Sequence, residues 1–467
     1  MARSWSTPAS SFSESFASKR KYAEQLMSPA MANRRVRVTW SDLNGLAHGR
    51  YIPERLLDRH GHHAVTTLTM NIEREILPIS GYSGDVGYPD MSTVPILASR
   101  RPGWEPDTDV VVADLEFDHE PLEIAPRSAL KRAVEAWQAR GYEPVLGYEM
   151  EFYVMAPDAA AAGGFELIPN ASHRVYGVGN GAGNPELLFA LYDAAERSEL
   201  QLEGMMGEFH PGQYELNMRY GRALDAADRA FLAKELTREV ATRSGFHVTY
   251  MGRPAADMVG SGLHINFSLC KADDDGNCFD APDDEHGISA VARRCLGGLL
   301  AHHAAVAAFS APLINSYKRL MPGLIAGYWA NWGLDNRTST YRVPGERGGA
   351  TRIENRMPCG SADPYLSAAA MLQAALLGFD HDLDCGEPQR GDGDSEPNTD
   401  QHTPESLAEA LDALEADAAM TQVMGADLAR VYLALRRNEV ERWEKAGVGW
   451  NPEEISDWEL AQYLPFY

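Results

Sequence analysis

Glu149 and Glu151 lie two residues apart in Gly147-Tyr148-Glu149-Met150-Glu151-Phe152-Tyr153-Val154, which follows the apolar Pro144-Val145-Leu146. An apolar, aromatic-rich run of this kind predicts a buried strand. Strand side chains alternate, so both carboxylates point to one face, with Tyr153 beyond them. Two anions side by side in a core strand are costly unless a cation holds them. The chain offers companions elsewhere. Glu208 and Glu215 share one short segment, His264 lies in Gly262-Leu263-His264-Ile265-Asn266-Phe267-Ser268, and Glu354 sits between Arg352 and Arg356. Five glutamates and one histidine suit hard divalent ions with a single imidazole. Two more strands are predicted to carry polar faces, His264/Asn266/Ser268 and Arg352/Glu354/Arg356. Any one of them alone also reads as a half-exposed strand with a wet face. Together they combine acids, a histidine and arginines in a way that suits metal and phosphate at once. Arg319, Arg337 and Arg342 add to this from a loop-rich, aromatic stretch, residues 314–344. The combination points to phosphoryl transfer from a nucleotide. There is no P-loop and no Gly-rich kinase loop followed by its lysine, so metals and arginines must hold the phosphates.

These residues need elements to position them. Residues 35–40 alternate and predict a strand, 41–45 a turn and 48–53 the return strand of a hairpin. A further strand is predicted over 109–115. Asp85 and Asp90 sit in turn-rich loops, where aspartate commonly caps a turn. Helices are predicted over 126–140, 184–201, 224–244, 363–377 and 428–446, and as one long buried helix over 289–308. Residues 273–285 read as a solvated acidic loop and 385–401 as a Gly/Pro-rich surface loop. Ser406-Leu407-Ala408-Glu409 has the form of a capping box. His210, His302 and His303 read as structural or surface histidines.

A length of 467 residues predicts two or three domains. A formal charge of −25, from 42 Lys+Arg against 67 Asp+Glu, argues against nucleic-acid binding. Five scattered cysteines without C-x-x-C favour a reducing compartment over a disulfide or zinc framework. No run approaches the ~18 apolar residues that a membrane span needs. The first residues are Ser-rich without an apolar signal core, so we expect a flexible arm or a poorly fixed helix on a cytoplasmic protein.

At the motifs themselves the chain resembles the glutamine synthetase superfamily, from about residue 35 to the end. The matching segments are Ser41-Asp42-Leu43-Asn44-Gly45, Gly84-Asp85 with Pro89-Asp90, Gly147 to Phe152, Glu208 with Gly212-Gln213-Tyr214-Glu215, and Gly260-Ser261-Gly262-Leu263-His264. They continue with Asn315-Ser316-Tyr317-Lys318-Arg319-Leu320, Asn336-Arg337, Arg352-Ile353-Glu354-Asn355-Arg356 and Asp363-Pro364-Tyr365-Leu366. The resemblance implies an α+β fold: an N-terminal arm (1–29), a small β-grasp domain (30–123) and a large α/β catalytic domain (124–467) with a curved antiparallel sheet. It implies two stacked six-membered rings, with each site between one subunit's large domain and the next subunit's small domain. Glu151, Glu208 and Glu215 match the ligands of the metal near glutamate. Glu149, His264 and Glu354 match those of the metal that bridges ATP phosphates, Mg²⁺ or Mn²⁺ in either case. Arg319, Arg356 and the main chain at Gly260 match the glutamate contacts, with Glu151 and His264 beside them. Arg337, Arg342 and Arg352 match phosphate-binding arginines, and Glu203, Tyr220 and Ser268 match positions around the nucleotide. The implied reaction forms γ-glutamyl phosphate from glutamate and ATP, and an amine then displaces phosphate.

The departures narrow the second substrate. Of three carboxylates that form the family's ammonium pocket, Asp85 is retained. The second position is Asn71, and the third, on the flap after the Asn-Ser-Tyr-Lys-Arg motif, is Ile325. A family asparagine is Val259 here, a histidine near the nucleotide is Asn266, and a lysine is Gly349. The chain therefore resembles the glutamate–amine ligase branch. An alkyl- or arylamine is the expected substrate, in a pocket of Asn71, Asp85, Ile325 and Trp329, with Tyr328 and Trp332 as further walls. The alternatives are a polyamine or ethanolamine, ammonium, and a catalytically inactive scaffold. A polyamine's second cationic end would need Glu73 or Asp90.

Overall fold

The computed structural model describes residues 34–168, 172–271 and 274–467; the expected arm, residues 1–29, lies outside them. Two sheets divide the chemistry. Arg35–Ser41 (β1) buries Val36, Val38 and Trp40 along its alternating pattern. It pairs antiparallel with Ala47–Pro53 (β2), Val38 opposite Arg50. The turn between them closes because the Asp42 carboxylate accepts from the N–H groups of Asn44 and Leu46, both at 2.9 Å. Gly45 stands at φ 77° there, where a side chain would be strained and would also press on Asp363. Gly61–Ala64 (β3), Asp90–Pro95 (β4) and Thr108–Phe117 (β5) complete the main path β2-β1-β5-β4-β3, with β1 and β5 parallel.

Among the described residues the second sheet has eleven strands. Tyr142–Pro157 (β6) is its centre, 16 residues long, with Met150 and Phe152 fully buried behind the polar face. Leu202–Gly207 (β7) and Gln213–Met218 (β8) lie on one side. Leu263–Lys271 (β9), Trp332–Leu334 (β10), Tyr341–Val343 (β11) and Ile353–Asn355 (β12) lie on the other, in the order β7-β8-β6-β9-β12-β11-β10. All neighbours on this path are antiparallel except β10 and β11. Behind the sheet, Pro364–Asp380 is a helix buried nearly all round. Asp363 caps it by accepting from the Leu366 N–H, and its other oxygen takes the Ser41 hydroxyl at 2.5 Å. That bond ties the start of the helix to the first sheet.

Several expectations are corrected. The single helix over 289–308 is two, Ala290–Ala301 and His303–Ser310. The break falls at His302, whose ring is 2.6 Å from Asp417. Only half of the capping box forms. Ser406 Oγ accepts from the Glu409 N–H, but the Glu409 carboxylate takes the N–H of Glu405 instead of Ser406. The acidic loop turns back as a strand at Asp274–Asn277 and buries Phe279. A seven-residue helix, Asp457–Tyr463, follows the long Ala426–Lys445 helix, opened by a complete Ser456/Glu459 box. Among the described residues no helix is long and apolar enough to cross a membrane.

Candidate active site

Strand register assembles the acids. Glu151 of β6 stands opposite Glu215 of β8, and Glu149 opposite His264 of β9. Asn266 of β9 and Arg342 of β11 both stand opposite Glu354 of β12. Five strands thus carry one row of polar side chains across the sheet. Glu208 joins it from the turn after β7, where its carboxylate accepts from the Phe209 N–H at 3.0 Å.

His264 is the hub. Its Nδ1 lies 3.3 Å from Glu149 and 3.8 Å from Glu354, and its Nε2 lies 3.8 Å from Glu151. Glu149, His264 and Glu354 can present three ligand atoms within 4.8 Å of one another. The two halves of the row differ electrically. At Glu149 burial opposes ionisation, but the hydrogen bond and charge of His264, with help from Asn266 and Arg356, hold the carboxyl down at about 2. At Glu354 burial again opposes, and Arg356, His264 and Arg342 hold it below the usual range. In the Glu151/Glu208/Glu215 half such relief is outweighed. Burial, then the charges of Glu151, Glu149 and Glu208, push the Glu215 carboxyl up to about 9. Glu208 is pushed up by burial and by Glu151. Carboxylates crowded until one keeps its proton are short of positive charge, and an all-oxygen set suits a hard divalent cation. Both halves therefore fit the expected ions.

A cavity of about 290 Å³ opens beside Glu149. Glu203, Tyr220, Asn266, Ser268 and Arg352 all line it, so the structure brings the expected nucleotide residues to one place. Gly349 lines it too, and a side chain there would meet open space. Two polar lining residues, Asn217 and Glu346, are absent from the sequence-based expectations. Asn217 stands opposite Glu149 and buries its Oδ1 without a partner. Its signal was alternation, since it shares a face with Glu215. Glu346 pairs with Arg352 at 3.3 Å, and no sequence signal marks it.

The arginines divide by role. Arg342 and Arg356 clamp the two oxygens of Glu354 at 2.7 and 2.6 Å. Arg352 donates to Asn266 Oδ1 at 2.9 Å. Arg337 is exposed and lines a separate cavity with Asn336 and Arg390, near enough to Glu208 to favour its ionised form. Arg319 is only 2% exposed and donates to the carbonyls of Met357 and Arg356, so it braces this corner. It passes so close to Gly260 that a Cβ there would sit 2.4 Å from Arg319 Cγ.

Ile325 and Trp329 share the flap, Ile325 at φ 51° and 48% exposed. Tyr328 and Trp332 are buried, which corrects their expected place in a pocket wall: the Trp332 Nε1–H donates to the Cys385 carbonyl. Asn71 and Asp85 lie apart from the flap, in loops of the first sheet. Asn71 closes its own turn, its amide donating to Glu75 at 2.9 Å and to Asn438 at 3.0 Å. Asp85 accepts from the Gly81 N–H, Ser80 and Ser83, which holds its carboxyl low, and it lines a cavity built from residues 76–88. Glu73, a candidate for a second cationic end, is paired with Arg442.

The profile of the glutamine synthetase catalytic domain matches residues 123–463. The chain belongs to the glutamine synthetase family. It is accordingly an ATP-dependent carbon–nitrogen ligase. It is 32% identical to a glutamate–isopropylamine ligase of a Pseudomonas species over 81% of this chain and 82% of that one. It is 33% identical to a gamma-glutamylethanolamide synthetase of Streptomyces coelicolor over 91% of each. A glutamine synthetase of Methanosarcina mazei is 31% identical over 77% of this chain and 80% of its own. Among solved structures, a GmaS/ADP complex superposes with a TM-score of 0.79 at 26% identity, over 94% of this chain and 97% of that one.

Proposed function

We propose that this protein joins the γ-carboxyl group of glutamate to an organic amine, through γ-glutamyl phosphate formed with ATP. The observation that carries the amine is Ile325: a half-exposed apolar side chain stands on the flap where the resemblance places an acid. Holding a small hydrated cation beside it is costly. Two of the relatives above, named for isopropylamine and ethanolamide, support the same reading.

In this reading Glu149, His264 and Glu354 hold one Mg²⁺ or Mn²⁺ and Glu151, Glu208 and Glu215 the other. Bound there, the ions offset the negative charge that phosphates and acyl phosphate bring. Glu203, Tyr220, Asn266 and Ser268 seat the nucleotide, and Arg337, Arg342 and Arg352 hold its phosphates. Arg356 takes the glutamate carboxylate, with the main chain at Gly260 beside it and Arg319 bracing both. The neutral amine nitrogen attacks the acyl carbon, the C–N bond forms, and phosphate leaves with the bonding pair. Asp85 of a neighbouring subunit takes the amine's proton.

A second reading, ammonium-using glutamine synthetase, is favoured by the Methanosarcina relative of similar identity. An inactive scaffold has no physical reason to stack six ligands in register. Phosphate release with glutamate, ATP and a panel of ammonium, propylamine, aniline and putrescine separates all three. We expect an alkyl- or arylamine to be used best, and Ile325→Glu to move preference toward ammonium by about tenfold. Wild type that uses ammonium best overturns the amine reading. Release with no acceptor in the panel favours the scaffold.

The assembly belongs to the same proposal: two stacked six-membered rings with shared sites, in the cytoplasm, the latter supported by five scattered cysteines without C-x-x-C. Asp85 then serves the acids of another subunit. Inactive Asp85→Ala and inactive Glu151→Gln subunits, unfolded and reassembled together, should regain activity, because some sites then combine an intact Asp85 with an intact Glu151. A mixture no more active than either variant overturns shared sites.

A further inference from the structure

The flap is tied to a loop that the reaction has not yet used. The Ile325 N–H donates to Asp394 Oδ2 at 3.2 Å, and the Trp329 Nε1–H donates to the Asp394 carbonyl at 3.1 Å. Both contacts reach from the flap to one residue of the Gly/Pro-rich stretch 385–401. The flap in turn rests on the glutamate side of the site. A Cβ on Gly327 would sit 3.1 Å from Met357 Cα, next to Arg356, whose guanidinium clamps Glu354. The Arg356 N–H donates to the Thr340 carbonyl, and the Thr340 hydroxyl donates to that of Trp329. Asp394 therefore brings a half-buried carboxylate to the backbone of Ile325, the flap position where the resemblance places an acid.

We propose that Asp394 is a specificity-determining residue whose carboxylate steadies the incoming amine as an alkylammonium before it loses its proton. This rests on the reading that the second substrate is an organic amine, and it names the class: a primary alkylamine, cationic in water. A carboxylate has about four acceptor sites, so one bond to the Ile325 N–H leaves capacity for an ammonium group. The half-buried Trp329 ring and the exposed Ile325 side chain supply apolar surface for the alkyl part, and the ring face also attracts a cation. An arylamine, neutral near neutral pH, gains little from Asp394. Acid and flap come from different segments, so a carboxylate reaches the flap from a distance in sequence, while Ile325 keeps the apolar surface that an alkyl group covers and bare ammonium does not.

The test compares propylamine with aniline on wild type, Asp394→Asn, Asp394→Glu and Asp394→Ala, by phosphate release at saturating ATP. Asparagine keeps an acceptor for the Ile325 N–H and removes only the charge. We expect Asp394→Asn to lower the ratio of kcat/KM for propylamine over aniline about tenfold, through KM for propylamine, with partial recovery in Asp394→Glu. KM for glutamate reports flap placement separately. A ratio within about twofold of wild type in Asp394→Asn overturns the proposal. So does an equal fall for both amines with a raised KM for glutamate, since that is the mark of a strap alone. Wild type that accepts ammonium and neither amine overturns the amine reading as well.

Discussion

Glu151→Gln and Glu354→Gln are each expected to lower glutamate- and amine-dependent phosphate release by about 10³-fold, roughly 4 kcal/mol of transition-state stabilisation. Each removes one negative ligand where phosphoryl charge develops. The two variants should part company in stability. Glu151 shares its face with Glu215, Glu208 and Glu149, and its charge helps push the Glu215 carboxyl up to about 9. Without metal, neutralising Glu151 relieves repulsion, so the variant should melt no lower than wild type. Glu354 is 1% exposed and clamped by Arg342 and Arg356. Neutralising it leaves two arginines under-compensated in a buried setting, a loss of about 3 kcal/mol. Steady-state kinetics with Mg²⁺, together with thermal melts in chelator, check both halves. Full activity in either variant removes it from the metal set. Equal melting losses in both would contradict the electrical asymmetry of the row.

That asymmetry was only partly legible in the sequence. Alternation placed Glu149 with Glu151, and Arg352 with Glu354, because a strand's period of two is local. The motifs identified Glu208, Glu215 and His264. The register that sets Glu151 against Glu215 and Glu149 against His264 is a long-range property, fixed by pairing rather than by composition. Asn217 was visible in principle, two residues from Glu215, yet a lone asparagine in a strand carries no mark. Glu346 and Asp394 reach their places on loops, where no periodicity points the way. The sequence reading also overestimated the flap. Tyr328 and Trp332 are aromatic and near Ile325 in the chain, but they turn into the core, where burying their area is favourable, and leave Trp329 half-exposed. The helix broken at His302 shows the same limit. Its sequence is mostly apolar, and the break falls at a histidine that meets a distant partner, Asp417.

In the metal-free protein the acid row should cost stability as pH rises, and added Mg²⁺ should reverse that loss. The Glu215 carboxyl moves from an ordinary 4.5 in the unfolded chain to about 9 in the fold. Between those values the folded state holds a proton that the unfolded chain has released. Stability then falls with rising pH, is fully present below about 4.5 and is lost by about 9. Glu208, also pushed up, adds to the same trend. Glu149, held at about 2, has the opposite sign: its contribution is present above the ordinary 4.5 and is lost as pH falls toward 2. The two windows do not overlap, so the contribution of the acid row to metal-free stability should peak near pH 4.5 to 5 and decline through neutrality. Relative to Glu215→Gln, the wild-type melting temperature in chelator should fall by roughly 5 °C between about pH 6 and pH 8.5. A divalent ion at Glu151, Glu208 and Glu215 must displace the Glu215 proton. Its affinity should therefore rise across the same window, and titration calorimetry near pH 7 in buffers of different ionisation enthalpy should show net proton release. The gap between melts with and without Mg²⁺ should widen as pH rises. A wild-type melting temperature that does not fall relative to Glu215→Gln from pH 6 to pH 8.5, or Mg²⁺ binding without proton release, would show that the three glutamates do not form one electrically coupled site.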